Sequence, residues 1–318
     1  MAAIKYSFFS ILCCFTAFPL FMSCLPLTGA EQKACSQCRK KILPGKQYLV
    51  SKGRTFCSRK CYIQTLPECT ICGKRSFTGG IYAMDHSFFA CTDCMKLPRC
   101  FSCQFPTREG TGLSAERVIC PTCAKTSVSN PDQARMIFEE VRAEMRSFPG
   151  IATRNPIQFA LTDPITLHRL SGSSTSIISE QGLYQYNADI RRVVTRDYLG
   201  RKTGENLRRN NESFHIYVLD HLPRDRMEHV IAHELAHDWM TTYYPGIRED
   251  WIKEGVAEYI AWQYNQHKNR TALNRRIENN PDPVYGNGFR SIRDLVKNRG
   301  FNGLKKFLES KSKQNLRK

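Results

Sequence analysis

The sequence predicts an α+β chain in which small cysteine-rich modules precede a domain that runs strands first and helices after. Three observations carry this reading. Twelve cysteines fall in close pairs between residues 35 and 123, no cysteine follows Cys123, and the pattern beyond changes from short apolar strands to a helical repeat.

Residues 1–30 have one Lys near the start, an apolar stretch from Tyr6 to Met22 and a small-residue end at Thr28-Gly29-Ala30, the layout of a secretory signal peptide. This segment stands outside the expected fold and sets the expected location: exported, whether secreted, periplasmic or membrane-anchored. Two alternatives stay open. One is an uncleaved anchor, for which about 17 apolar residues is short; the other is lipid attachment at Cys24 within LFMSC.

Residues 31–125 hold the pairs Cys35/Cys38, Cys57/Cys61, Cys69/Cys72, Cys91/Cys94, Cys100/Cys103 and Cys120/Cys123. In order they form three units, C-x2-C-x18-C-x3-C, C-x2-C-x18-C-x2-C and C-x2-C-x16-C-x2-C, which begin 34 and then 31 residues apart. Each unit is a knuckle, a short hairpin and a second pair. Tetrahedral Zn²⁺ takes four thiolates at about 2.3 Å, and two C-x2-C turns supply them without long loops. Three structural zinc ions are therefore expected, supplying most of the folding free energy of units too small for a core of their own. A disulfide scaffold is the alternative that export would favour, but disulfide frameworks rarely place every Cys in a tight pair. His86 lies between Cys72 and Cys91, where four Cys already complete the site, and is expected on the surface.

The formal net charge of +18 points on its face to a polyanion. Twelve thiolates on three Zn²⁺ remove 6 of those charges, leaving +12. Much of the basicity is thus counter-charge to sulfur, which disfavours a nucleic-acid reader. The clearest remaining excess is in residues 289–318, with ten Lys/Arg against two Asp/Glu, expected to be a solvated helix face and tail.

Residues 126–132 are polar with a Pro and are expected to be a linker to a second domain over 133–318. PDQARMIFEEVRAEMRSF predicts an amphipathic helix. IQFALT and FHIYVLD predict strands, the second alternating in polarity as an edge strand does. On the helix expected over 224–241, Met227, Ile231, Leu235 and Trp239 recur every four residues toward the core. His233 and His237 of the H-E-x-x-H motif share another face, one turn apart, and can reach one ion. Glu234, turned by about 100°, stands beside that ion and can take a proton from a water there. His229 is too far from His237, about 12 Å along the axis, to join them. The third ligand is expected in WIKEGVAEYIAW: Glu254, seventeen residues after His237, opens the next helix, and Glu258 one turn later can accept the free N–H of a ligating ring.

The W-x-x-E-G-x-A pattern resembles that of gluzincin peptidases, whose Glu in that place binds zinc. The tandem cysteine units resemble LIM domains, which act as docking surfaces, with longer connections between paired units. Together, LDHLPRDRMEHVIAHELAHDW, EGVAEYIA and PVYGNGFRSIRDLVKNRGFNGLKKFL resemble the peptidase domain of the plant DA-one family, LIM-containing peptidases that limit organ growth. The resemblance covers most of residues 35–312. It implies a zincin-like fold behind LIM-like modules, catalytic zinc on His233 and His237, and Glu234 as the catalytic carboxylate. The chain departs in its export segment, in having three units and in lacking a ubiquitin-interacting motif, so that family's activation and substrates do not transfer. It also lacks the G-x-M-E-N segment of aminopeptidases, which leaves endopeptidase action by default. Tyr285, in PVYGNGF, is the candidate oxyanion donor. The expected function is zinc-dependent hydrolysis of protein or peptide substrates, with the cysteine units docking a protein partner. The rival is a non-catalytic zinc-binding interaction protein with an inactive zincin domain.

Overall fold

A computed structural model of the chain describes residues 33–82, 88–172 and 181–316. The expected export segment with Cys24, and His86, fall outside the described residues. The fold is mixed α and β. Residues 33–100 and 104–109 form one compact unit and residues 101–103 and 110–316 another, so the division passes through the third cysteine module.

The threefold repeat read from cysteine spacing recurs in the backbone. In each module the amide of the first Cys donates to the carbonyl five residues on, from Cys35 to Lys40, Cys69 to Lys74 and Cys100 to Phe105, at 2.9–3.0 Å. The residue after the second Cys turns left-handed: Arg39 (φ 61°), Gly73 (φ 69°) and Gln104 (φ 63°). A Gly suits that conformation at little cost, yet two of the three knuckles carry a long polar side chain there. A two-stranded hairpin follows each knuckle, Leu49–Ser51 with Arg54–Phe56, Gly80–Tyr82 with Phe89–Cys91, and Thr111–Gly112 with Val118–Ile119. The second pair then sits on or beside a short helical turn, at Arg59–Ile63, Cys94–Lys96 and Pro121–Ala124.

Helix α1 (Pro131–Ser147) begins where Pro131 occupies the first turn and the Asn130 side chain accepts the Gln133 amide at 3.0 Å. It buries Ala134, Ile137, Phe138, Val141 and Met145, the stripe its spacing predicts. The segment 126–132 is more than a connection: Ser127–Val128 pairs with Leu222–Pro223, and the Arg224 amide donates to the Thr126 carbonyl.

Strand β1 (Ile157–Thr162) leads into α2 (Pro164–Ser171), capped by Asp163, whose Oδ1 accepts the amides of Ile165 and Thr166. Two long strands follow, β2 (Gly182–Arg196) and β3 (Lys202–Leu219). The sheet order is β1-β3-β2, with β3 parallel to β1 and antiparallel to β2. FHIYVLD is therefore in the central strand, not an edge. Its alternation reports which face is buried: Phe214, Ile216 and Val218 are buried, while His215 and Tyr217 stack on each other on the opposite face.

Helices α3 (Arg224–Tyr243), α4 (Asp250–His267), α5 (Thr271–Glu278) and α6 (Tyr285–Leu316, broken at Gly300) complete the domain. Every residue of α3 from Met227 to Met240 is buried, so the expected apolar face is part of a helix enclosed all round. Among the described residues, no helix is long and apolar enough to cross a membrane.

Candidate metal centre

His233 and His237 leave α3 one turn apart, and α4 returns to bring Glu254 against them. The ring Nε2 atoms lie 3.1 Å apart, and Glu254 Oε2 is 3.2 Å from His233 Nε2 and 3.5 Å from His237 Nε2. Three ligands of a tetrahedral Zn²⁺ at bonds near 2.0–2.1 Å stand about 3.3 Å from one another. The donor set and its spacing thus fit one ion, with a fourth position free for water or substrate. Burial alone would raise the Glu254 carboxyl; the charge of His237, hydrogen bonds to both rings and the charge of His233 hold it down to about 2.

Glu258, four residues on, approaches His233 Nδ1 at 3.8 Å, longer than a hydrogen bond, from behind the ligating nitrogen. Burial pushes its carboxyl up, against the pull of His233 and Arg226. His229 stays out of the cluster, its Nδ1 lying 3.1 Å from Asn265 Nδ2.

Glu234 does not join the three ligands, as its position on the helix predicts. Desolvation pushes its carboxyl up to about 8; the charges of Glu254 and Glu258 act in the same direction, while His233 and the Tyr184 amide oppose them. Tyr285, at the start of α6, is buried with its ring 6.5 Å from that of His233 and near parallel to it. Burial and the surrounding carboxylates hold its hydroxyl protonated well beyond the ordinary range, which keeps it a hydrogen-bond donor.

Strand β2 supplies what the sequence did not disclose. Gly182 presses so close to α3 that a Cβ there would lie 2.5 Å from Glu234 Oε1 and from Val230 Cγ1. Two residues on, the Tyr184 hydroxyl reaches Asp238 Oδ1 at 3.2 Å, and Asp238 also accepts from Thr153 and from Asn155 Nδ2. Glu234 and Asp238, one turn apart, are thus gripped from the same strand.

The three cysteine modules each bring four sulfurs together, Cys35/Cys38/Cys57/Cys61, Cys69/Cys72/Cys91/Cys94 and Cys100/Cys103/Cys120/Cys123, every ligand atom within 4.8 Å of the others in its group. All twelve are free thiols, which is the donor set a metal requires. Arg108 Nη2 donates to Cys94 Sγ at 3.8 Å, a contact that favours the thiolate. Compared with protein-family models, with curated proteins and with solved structures, the chain gives no match.

Proposed function

We propose that the chain is an exported zinc-dependent peptidase, an endopeptidase of the H-E-x-x-H…E kind resembling the DA-one family, with a zincin-like domain behind three LIM-like docking modules. The observation that carries this reading is the pairing of a three-ligand set with a carboxylate, Glu234, held beside it and outside it. A structural site has no need of that fourth group. His233, His237 and Glu254 would hold zinc, which would supply the Lewis acidity to activate a water and polarise the scissile carbonyl. Glu234 takes the water's proton at its carboxylate and delivers it to the leaving amine, a role to which a carboxyl of raised affinity for protons is suited. Tyr285 donates its hydroxyl proton in a hydrogen bond to the developing oxyanion. The three cysteine clusters each hold one structural zinc.

A second reading, a zinc-binding interaction protein without catalysis, draws on one observation. His233, Glu234 and His237 are each 1% exposed, as in a site closed to substrate.

Cleavage of a denatured-protein mixture separates the two. The wild-type chain should cut it, carrying about four Zn²⁺ per chain, and Glu234→Gln should keep the metal while losing about 10²-fold or more of the rate. Equal rates in both proteins, or metal in both and cleavage in neither, would leave the non-catalytic reading standing.

A further inference from the structure

Strands β2 and β3 continue far beyond the sheet. β1 pairs with β3 only from Phe214 to Leu219, so residues 202–213 have β2 alone beside them among the described residues, an arm of roughly 35–40 Å. Its end is built rather than frayed. Asp197 Oδ1 accepts the amides of Leu199 and Arg201 at 2.9 Å, the Gly200 amide donates to the Asp197 carbonyl, and Gly200 takes the left-handed φ of 76° that closes the turn. Arg196 Nη1 donates to the Gly200 carbonyl at 2.8 Å.

This fixed turn holds two apolar side chains out in water: Tyr198 is 94% exposed and Leu199 58%. Val193 and Val194 extend the exposed apolar surface down β2. Around them positive charge predominates, with five Lys/Arg in residues 191–202 against one Asp, Asp197, which pairs with Arg201. The register opposes like charges, Arg191 to Arg208 and Arg196 to Lys202. Directly opposed like charges destabilise a hairpin, and an anionic surface at the turn would attract the basic side chains there.

We propose that the tip of the β2–β3 hairpin docks on an anionic lipid bilayer, Tyr198 and Leu199 entering the interface while Arg196 and Lys202, which flank the turn, meet the headgroups. An aromatic ring with one polar end suits the interface between headgroups and acyl chains. Basic side chains add electrostatic attraction that reaches about one Debye length. A nucleic-acid groove would use the same basic side chains but would have no use for Leu199 at the apex.

Vesicle co-sedimentation of the full chain tests this, with phosphatidylcholine alone against phosphatidylcholine carrying phosphatidylglycerol. The chain should bind the anionic vesicles and be released by salt. Because the N-terminal apolar stretch can itself add binding, the readout is each variant's partition coefficient relative to wild type. Tyr198→Ser with Leu199→Ser should lower it about tenfold or more. Arg196→Gln with Lys202→Gln should lower it roughly thirtyfold, at about fivefold per basic residue. Tyr198→Trp should gain a fluorescence component quenched by brominated lipid, over the background of Trp239, Trp251 and Trp262. Partition unchanged in both double variants, or equal binding to neutral vesicles, would overturn the proposal. So would binding to a short DNA duplex that the Arg196→Gln, Lys202→Gln variant loses while wild type ignores the vesicles.

Discussion

Gly255 and Gly288 meet backbone to backbone where α4 crosses α6. A Cβ on Gly255 would lie 2.5 Å from the Gly288 carbonyl carbon, and one on Gly288 would lie 2.5 Å from the Trp251 carbonyl oxygen. The crossing sets the two groups that approach the histidines from this side, since Glu254 precedes Gly255 directly and Tyr285 lies one turn before Gly288. Neither backbone can yield as a flexible side chain would. Gly288→Ala should therefore cost about 1–3 kcal/mol in urea unfolding and weaken metal retention at the histidine site. Gly112→Ala, where nothing lies within 4 Å of an added Cβ, is the control and should cost less. Equal losses at the two positions would mean that the crossing does not position the site.

Glu254 and Glu258 should separate by metal affinity. A helical His pair gives two bonds, and a catalytic zinc needs a third protein ligand with one position open. Glu254 Oε2 closes the triangle with both rings, whereas Glu258 meets only the far nitrogen of His233. Glu254→Ala should lose the site's metal at zinc concentrations that saturate wild type. Glu258→Ala should weaken binding by roughly 10 to 100-fold, the size of losses from groups that orient a ligand. Metal titration against a chelating dye reads both, and the reverse order would mean that the two carboxylates have exchanged roles.

Much of the candidate site was legible because its spacing is local. Two histidines four apart share a helix face whatever the fold, and Glu254 had only to begin the next helix. The cysteine clusters were legible for the same reason, as was α1, whose Asn-Pro start and apolar stripe are both short-range. What escaped the sequence depends on partners distant along the chain. The rank of β3 in its sheet was misread because alternation records a buried face and says nothing of neighbours. Gly182 carries no mark in the sequence of its approach to Glu234, 52 residues on, and a paired Asp238 looks like any polar interruption until Thr153, Asn155 and Tyr184 surround it.

The metal-free protein should show the cost of ionising Glu234. Desolvation raises this carboxyl from 4.5 to about 8. A group whose proton is held more tightly in the folded state stabilises fully below its unfolded pKa, and that contribution is lost as pH rises through the folded one. With chelator present, wild type and Glu234→Gln should melt together near pH 4, and the variant should become progressively the more stable between about 4.5 and 8. Any metal on the cysteine clusters is stripped equally from both proteins, so the difference isolates this residue. A constant difference across the range would show that Glu234 is solvated in the folded state.

Arg117 is a fully buried cation, its side chain 0% exposed. Burying a guanidinium is tolerable only when its donors are paired. Here Nη2 meets Asp220 Oδ1 at 2.6 Å and Ser114 Oγ at 3.1 Å, Nη1 meets the Asp220 carbonyl, Nε meets the Ser114 carbonyl, and the group lies 4.8 Å from the centre of the Phe101 ring. The carboxylate comes from the end of β3, a few residues before the helix that carries His233, so the pair ties the third hairpin to the metal-binding half of the same unit. Removing one partner strands the other charge. Asp220→Ala should therefore lower stability by about 3–5 kcal/mol, while Arg117→Met with Asp220→Leu, which removes both charges, should lose much less. Urea midpoints of Arg117→Met, Asp220→Leu and the double variant measure the coupling directly. Additive losses would show that the contact is incidental and that the hairpin is held by Phe101 and the apolar packing around it.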